Sequence, residues 1–249
     1  MVGDTVRGLL DTLRHSDEGD LAPQWAAQVA HALGLDGVAV SVSVDGPELV
    51  CFSDEASARL ENLQFTLGEG PGIEAARSGV MFLLADVRAT AEARWSGFLS
   101  EVGKLPVRAV FAFPLRWGAL RVGVFTGYRS EAGLLGQGHT EEALVLCDAL
   151  TEFVLRLRLP HPDGSGSPGD GPGTMDLHRA EVHQATGMLS ARLEVPLATA
   201  MSRLRAEAFA LGLDITEVAR AVVRRELTLT ADAPPRGGPD DGSSPRGQT

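Results

Sequence analysis

The segment Val38-Ala-Val-Ser-Val-Ser-Val44 alternates valine with small residues. A period of two is typical of a half-buried β-strand, so the valines are predicted to face the core and Ser41 the opposite side. The Asp45-Gly46 pair that follows is typical of a tight hairpin turn, which predicts a second strand over 48–53. These two segments are therefore predicted to form an antiparallel hairpin.

A helix is predicted before this hairpin, because Trp25, Val29 and Leu33 recur every four residues. Asp20 is suited to cap the N-terminus of this helix, and Gly34 is suited to end it. The hairpin is therefore expected to pack against at least one amphipathic helix.

Helices and strands also interleave after the hairpin. The pattern predicts a helix from 55 to about 64, strands near 80–84, 107–115 and 120–128, and a helix from about 140 to 159. One side of the last helix carries Leu144, Cys147, Leu150, Val154 and Leu157. This order, with its hairpins, indicates an α+β fold in which an antiparallel sheet is flanked by helices.

The stretch 160–173 divides the chain, since it holds four prolines and five glycines and no large apolar residue. Such a composition can bury nothing and predicts a flexible linker. The last segment, 230–249, has the same character and is predicted to be disordered. The predicted organisation is an N-terminal extension over 1–19, an α+β domain over 20–159, the linker over 160–173, a helical domain over 174–229 and the tail.

The chain of 249 residues carries 22 basic and 33 acidic side chains, a formal net charge of −11. This balance excludes a general electrostatic nucleic-acid binder, which needs a basic surface to hold a phosphate backbone. The acidity is unevenly placed, because residues 1–173 carry a balance of −10 whereas residues 174–229 carry seven side chains of each sign. The helical domain is therefore neutral, and a selective contact with nucleic acid stays open there.

The sequence predicts no metal site and no cofactor. Cys51 and Cys147 are far apart in the chain and show no CxxC or Cys/His spacing, which argues against a disulfide scaffold or a zinc module. The N-terminus lacks the apolar segment of a signal peptide, and no run approaches the roughly 18 apolar residues of a membrane span. We therefore expect a cytoplasmic protein.

Three short amphipathic helices are predicted in the neutral segment. Gly187 lies inside the first helix and indicates close packing against another helix. Pro196 is suited to begin the second, and Asp214 with Glu217 fits a capping box for the third. Phe209 is expected in the core of the resulting three-helix bundle. The predicted apolar positions are Val182, Ala185, Leu189, Leu193, Leu197, Ala200, Met201, Leu204, Ala208, Leu211, Ile215, Val218, Ala219, Val222 and Leu227.

A glycine-rich turn, Leu67-Gly-Glu-Gly-Pro-Gly72, opens a short helix, Asp86 follows a strand, and Pro114-Leu115 precedes a last hairpin. With Trp95 and Phe98, these residues resemble a GAF domain over most of residues 20–158. The resemblance implies a small-molecule sensor or a dimerisation module. Actinobacterial members commonly carry the form Gly-Glu-Gly-Pro-Cys, and this chain has Gly72 in place of the cysteine.

The glycine-rich turn has two interpretations. Its glycines permit positive φ and close backbone approach at a helix N-terminus, an arrangement suited to an anion. The turn can instead serve only to position the helix that starts near Ile73, the more common role of such motifs, and no Gly-Lys-Ser/Thr of a phosphate-binding loop follows. An unknown small-molecule ligand is therefore left open, with Gly68, Glu69, Gly70 and Gly72 as candidate contacts.

The string Val182-His-Gln-Ala-Thr-Gly-Met-Leu189 is followed by Leu204-Arg-Ala-Glu-Ala208 and by the pairs Val218-Ala219 and Val222-Val223. This combination, with Ala200, resembles an ANTAR domain, the three-helix RNA-binding module of transcription antitermination regulators. The resemblance implies a homodimer that engages a pair of small stem-loops in nascent transcripts and prevents a terminator hairpin. A GAF domain is one of the sensors found upstream in such regulators.

The basic side chains of the helical domain are mostly arginines, and arginine suits bidentate contact with phosphate and stacking on unpaired bases. Alternatively, some of these arginines pair with Glu207, Glu217 or Glu226 on a solvated surface. Many ANTAR members have a basic residue where this chain has Thr186. With the resemblance, the candidate RNA contacts are Arg179, His183, Thr186, Arg192, Arg203, Arg205, Arg224 and Arg225.

The leading hypothesis is a sensor in which a signal at the GAF domain controls RNA binding by a dimeric ANTAR module. The alternative is a DNA-binding or protein-interaction signalling regulator with a GAF dimerisation domain, since a small helical bundle can also mimic a helix-turn-helix. An enzyme is not expected, because the two cysteines form no cluster and no kinase motif is present.

Overall fold

The computed structural model describes residues 3–15, 23–43, 47–91, 94–158 and 180–229. These residues form two compact units, 3–158 and 180–229. The linker 160–173, the tail 230–249, the Asp20 cap and the Asp45-Gly46 turn, all predicted from the sequence, lie outside the described residues. Within the described ranges, no helix combines the length and apolar character that crossing a membrane requires.

Helices and strands alternate along the first unit, and the second unit is helical. The elements are α1 (Asp4–His15), α2 (Pro23–Ala32), β1 (Gly37–Ser43), β2 (Pro47–Phe52), α3 (Glu55–Leu67), α4 (Pro71–Ser78), β3 (Phe82–Leu84), a short 3₁₀-helix (Val87–Ala89), α5 (Ser96–Val102), β4 (Ala109–Trp117), β5 (Leu120–Arg129), α6 (Gln137–Arg158), α7 (Ala180–Leu193), α8 (Leu197–Leu211) and α9 (Ile215–Val223).

The strands form one antiparallel sheet in the order β2-β1-β5-β4-β3. In its interior, β1 pairs with both neighbours, and Val40 lies opposite Cys51 of β2 and Phe125 of β5. The predicted α+β fold, an antiparallel sheet flanked by helices, is therefore confirmed for the first unit. Strand β3 is shorter than predicted, because Val80 and Met81 precede it as exposed residues.

Helices α2 and α6 cover one face of the sheet, where β1, β4 and β5 supply the valines and phenylalanines of the main core, and α1 packs against both helices. Trp25, Val29 and Leu33 are buried in this core, as the spacing of four predicts. The prediction for Leu144 was wrong, since this residue of α6 is 43% exposed while Cys147, one turn of helix further on, is buried. The predicted positions Cys147, Leu150 and Val154 are buried, so beyond Leu144 the buried side of α6 agrees with the prediction.

Helix α1 was not predicted from the sequence. It buries Val6, Leu9, Leu10 and Leu13, a spacing of three and four that is typical of an amphipathic helix. The guanidinium of Arg156 in α6 donates to the last carbonyls of α1, with 2.6 Å from Nη2 to the Leu13 oxygen. A cation at a helix C-terminus satisfies carbonyls that lack a partner within the helix, so α1 belongs to the core of the unit.

Helices α3, α4 and α5 cover the other face of the sheet. Leu60 of α3 and Phe98 of α5 pack there with Val110 of β4 and Tyr128 of β5. The prediction of a half-buried β1 was therefore wrong, because Ser41 is 0% exposed. Small side chains on this side of the strand leave room for the covering helices.

The second unit consists of α7, α8 and α9 packed together, and the apolar residues at its centre agree with the predicted spacing. Asp214 caps α9 in a capping box with Glu217, as predicted. The predicted apolar residues that are buried are Val182, Ala185, Leu189, Ala200, Leu204, Ala208, Ile215, Val218, Ala219 and Val222.

Three expectations for the second unit were wrong. Phe209 is 59% exposed rather than in the core. Leu197 and Leu211 are also exposed, since they lie at the two ends of α8, outside the stretch whose buried residues are Ala200, Leu204 and Ala208. A Cβ built on Gly187 would meet no atom within 4 Å, so close packing within the unit does not require this glycine.

Candidate functional site

The glycine-rich turn joins α3 to α4, and its conformation explains its glycines. Gly68 ends α3 in the left-handed region with φ 68°, and Gly70 precedes α4 with φ 126°. L-residues rarely adopt these conformations. A Cβ on Gly70 would also lie 2.7 Å from Oε1 of Gln64, so both the backbone angles and the space demand glycine here.

Glu69 ties this turn to the start of α5. Its Oε1 accepts a hydrogen bond of 2.8 Å from the backbone N–H of Phe98, and Trp95, the residue before α5, supplies no side-chain cap. A Cβ on Gly97 would lie 2.8 Å from the same oxygen. Glu69 therefore caps α5, and its contact with a ligand stays a prediction, as do those of Gly68 and Gly70.

Gly72, the last glycine of this turn, is hydrogen-bonded to a buried side chain of α3. Its backbone N–H donates to Oε1 of Gln64 over 2.6 Å. The Gln64 amide in turn donates to Oε1 of Glu61 over 2.9 Å, and Ser41 Oγ donates to the second carboxylate oxygen over 2.8 Å. A chain of polar groups thus runs from α4 through α3 to the sheet.

Thr126 of β5 completes what we call the interior polar cluster: Ser41, Glu61, Gln64, Gly72 and Thr126. No side chain of the cluster is more than 3% exposed. Oγ1 of Thr126 has no hydrogen-bond partner in the described part of the chain. A Cβ on Gly72 would lie 3.1 Å from this oxygen, so the absence of a side chain at 72 leaves the space beside the hydroxyl.

This cluster was missed in the sequence, although it left a signal. Glu61 and Gln64 are three residues apart on α3 between the buried residues Leu60 and Phe65, and Ser41 and Thr126 are hydroxyls within apolar strands. Polar residues on the buried side of an element are the informative exception to the hydrophobic pattern. The structure brings them together with Gly72, one of the four predicted ligand contacts.

A second group of residues fastens the segment before α5 to α4. Arg94 Nη2 donates to Oε1 of Glu74 over 2.6 Å, and Trp95 Nε1 donates to Oε2 over 2.8 Å. These bonds, that from Arg94 first, hold the pKa of the Glu74 carboxyl below its ordinary value. Trp95 adopts φ 138°, a conformation that is strained for an L-residue and that these contacts maintain.

Asp86, one of the residues that carry the GAF resemblance, has a structural role. Its carboxylate caps the short 3₁₀-helix and receives two hydrogen bonds from Arg108, the shorter of 2.6 Å from Nη2. The bonds from Arg108 are the main cause that lowers the pKa of Asp86. This pair joins β3 to β4 at the edge of the sheet.

The described residues contain no group of three side chains placed to hold a metal ion. Cys51 and Cys147 are both buried, and neither forms a disulfide in the described part of the chain. Burial raises the pKa of the Cys147 thiol, which disfavours the reactive thiolate.

In the second unit, Arg224 and Arg225 are exposed where α9 ends. Arg225 has φ 62° and occupies the left-handed position that follows many helices, where glycine is the common residue. The Glu226 N–H donates to the Ala221 carbonyl over 2.9 Å, which closes this helix end. The structure thus places two adjacent arginines at one exposed corner, one of them in a conformation that costs energy.

Two other candidate RNA contacts, Thr186 and Arg192, make hydrogen bonds inside the second unit. The Thr186 hydroxyl is 5% exposed and donates to the Val182 carbonyl over 2.7 Å. Arg192 donates to the Leu229 carbonyl over 2.7 Å. His183, Arg203 and Arg205 are partly exposed, and Arg179 lies outside the described residues.

The sequence matches no known family model and no curated protein. Its fold resembles the GAF domain of a phosphoenolpyruvate-protein phosphotransferase from Coxiella burnetii, with a TM-score of 0.50 and 15% identity over 62% of this chain and 92% of that chain. The corresponding Acinetobacter GAF domain gives a TM-score of 0.46 and 14% identity over 61% of this chain and 92% of that chain. Free methionine-R-sulfoxide reductase from Neisseria meningitidis gives a TM-score of 0.45 and 17% identity over 61% of this chain and 87% of that chain. The first unit of this protein therefore has the GAF fold.

Proposed function

We propose that this protein is a signal-responsive, RNA-binding regulator of transcription antitermination, which works as a cytoplasmic homodimer without enzymatic activity. The first unit is the sensor, and α7–α9 form an ANTAR-like module that binds paired stem-loops in nascent transcripts. The GAF fold supports the sensor, and the resemblance of the string from Val182 to Leu189 supports the module.

The observation that carries the proposal is the conformation of Arg225. A left-handed backbone costs an L-residue about 1–2 kcal/mol, and a glycine at this position would avoid that cost. Residues that break a local rule in this way concentrate at functional sites. The exposed guanidinium of Arg225, next to that of Arg224, suits bidentate contact with the phosphates of an RNA backbone.

The interior polar cluster supports a sensory role for the first unit. A buried hydroxyl without a partner, as at Thr126, costs about 1–3 kcal/mol. A ligand or a shift of α4 that supplies a hydrogen bond to this oxygen recovers part of that cost. Binding would thus be coupled to the position of α4, the helix that begins at the glycine-rich turn.

Dimerisation explains how a neutral module binds a polyanion. The described residues 180–229 carry as many acidic as basic side chains, so one module offers few phosphate contacts. Two linked modules that meet two linked stem-loops gain affinity through effective concentration, without any new contact. Isolated hairpins are therefore expected to bind weakly and paired hairpins well.

The test is enrichment of transcripts from total cellular RNA by the full-length protein. We expect transcripts with paired short stem-loops to be enriched, and the double variant Arg224→Ala, Arg225→Ala to lose them. The matched control is Arg220→Ala, because Arg220 is already paired with Glu181 at 3.4 Å. Failure of the wild-type protein to enrich paired stem-loops, or stronger retention of a DNA duplex in competition, contradicts the proposal.

A further inference from the structure

Phe209 is a large apolar side chain on the surface of α8, 59% exposed. It stands four residues after Arg205, so the two side chains are neighbours on one strip of the helix. An aromatic ring beside a guanidinium is an arrangement that nucleic-acid-binding proteins use to stack on unpaired bases.

The contact between α7 and α8 identifies the side of α8 that lies next to α7. Thr186 of α7 meets Met201 of α8, with 3.9 Å between Oγ1 and the sulfur. The two helices are joined by only three residues, 194–196, a length that is typical of antiparallel neighbours. Arg205 and Phe209 follow Met201 by about one and two turns of α8, on the same side of the helix.

A matching strip runs along α7. His183 and Gly187 are four residues apart and flank Thr186 on its outer side. His183 and Gly187 are both partly exposed, and Arg220 of α9 pairs with α7 at Glu181, outside this strip. We call the surface formed by His183, Gly187, Arg205 and Phe209 the α7–α8 face.

Two features of the α7–α8 face favour a nucleic acid over a protein partner. Neither strip contains an acidic residue, although residues 180–229 carry acidic and basic side chains in equal number. A Cβ on Gly187 would meet no atom within 4 Å, so the backbone of α7 is open to close approach. The glycine thus has no packing role within the unit, although it weakens a helix.

We propose that Phe209 stacks on an unpaired loop base of the bound RNA, with Arg205 beside it. This inference rests on the proposed function and deepens it, since it states what the module recognises within a stem-loop. Stacking is tolerant of base identity, so the contact selects an unpaired base at a set distance from the stem rather than a given sequence.

The probe is an RNA with two tandem stem-loops, selected by the wild-type full-length protein from a library with randomised loops. Each loop position is then replaced in turn by 2-aminopurine, whose fluorescence is quenched on stacking, and by an abasic site. Phe209→Leu keeps an apolar side chain and removes the ring, and Phe209→Tyr restores it. The matched control is Leu197→Ala, since Leu197 is 60% exposed at the other end of α8.

We expect Phe209→Leu to weaken binding about 5- to 150-fold, the range measured for one stacked base, and Phe209→Tyr to restore it. Leu197→Ala is expected to bind as the wild type does. The abasic site at the stacked position should bring the wild type and Phe209→Leu to equal affinity, and the 2-aminopurine signal there should be quenched only by proteins with the ring.

The outcomes separate this inference from the proposed function. Tight binding of the selected RNA by both the wild type and Phe209→Leu overturns the stacking and leaves the RNA-binding function standing. Recovery of no stem-loop RNA by the wild type overturns both. A change from dimer to monomer in Phe209→Leu, seen by mass measurement in solution, assigns the ring to a protein interface and overturns the stacking.

Discussion

Replacement of Thr126 by valine tests the central feature of the first unit. The side chain is 2% exposed and its Oγ1 has no hydrogen-bond partner among the described residues. Valine has the same shape and carries a methyl group in place of the hydroxyl. Since a buried hydroxyl without a partner costs about 1–3 kcal/mol, we expect Thr126→Val to raise the free energy of unfolding by about 1–2 kcal/mol.

Thr151 supplies the matched control. It is also 2% exposed, but its Oγ1 donates to the Cys147 carbonyl one turn earlier in α6, over 2.7 Å. The same substitution there removes a hydrogen bond that exists. We expect Thr151→Val to leave the free energy of unfolding unchanged or to lower it by up to about 1 kcal/mol.

Urea denaturation followed by tryptophan fluorescence measures both variants. Trp25, Trp95 and Trp117 are the tryptophans of the chain and all belong to the first unit, so their emission reports on that unit alone. If Thr126→Val fails to raise the free energy of unfolding and instead changes it as Thr151→Val does, the hydroxyl of Thr126 is hydrogen-bonded in solution. The coupling of the interior polar cluster to a ligand or to α4 would then lose its basis.

Three further predictions concern single residues. Arg225→Gly should stabilise the end of α9 by about 0.5–1 kcal/mol, because glycine relieves the left-handed backbone, and should weaken RNA binding; faster hydrogen exchange in α9 or unchanged affinity would contradict this. Gly187→Ala should slow hydrogen exchange in α7 by the equivalent of about 1 kcal/mol, and a loss of stability would show that the glycine is packed after all. Glu74→Gln should lower the urea midpoint at pH 7, because the pKa of Glu74 is lowered in the folded state. That stabilisation is present above the ordinary value of 4.5 and is lost as the pH falls through the lowered pKa, so wild type and variant should converge in acid; a constant difference would refute the assignment.

The sheet and its first covering layer could be predicted from the sequence because their signals are local. Alternating valines specify β1, and the recurrence of Trp25, Val29 and Leu33 specifies the buried side of α2. Helix α1 was within reach of the same reasoning, since Val6, Leu9 and Leu13 follow the spacing of an amphipathic helix. Exposed polar residues such as Arg7 and Asp11 lie between these apolar positions, as the amphipathic pattern requires.

The interior polar cluster could not be predicted in the same way. In a strand that alternates apolar and polar residues, the serines of β1 are predicted to face solvent. Ser41 is buried instead, because helices cover that face of the sheet. Burial of this kind depends on contacts between residues remote in the chain, such as the hydrogen bond from Ser41 to Glu61. The conformational roles of Gly68 and Gly70 could be predicted because a turn is local in the chain. The hydrogen bond that Glu69 accepts from the backbone of α5 joins residues far apart in the chain and could not be predicted.

The charge balance of the second unit shows the same limit of prediction from sequence. A balance of zero cannot distinguish arginines that hold the bundle together from arginines that face outwards. The structure separates them, because Arg220 is paired with Glu181 and Arg192 is bonded to a backbone carbonyl, while Arg225 is exposed in a strained conformation. For the RNA binding proposed above, affinity then depends on how the exposed arginines are spaced rather than on their number. A bundle with that function would discriminate folded RNA shapes, because a weak single contact is useful only when a second module meets a second stem-loop.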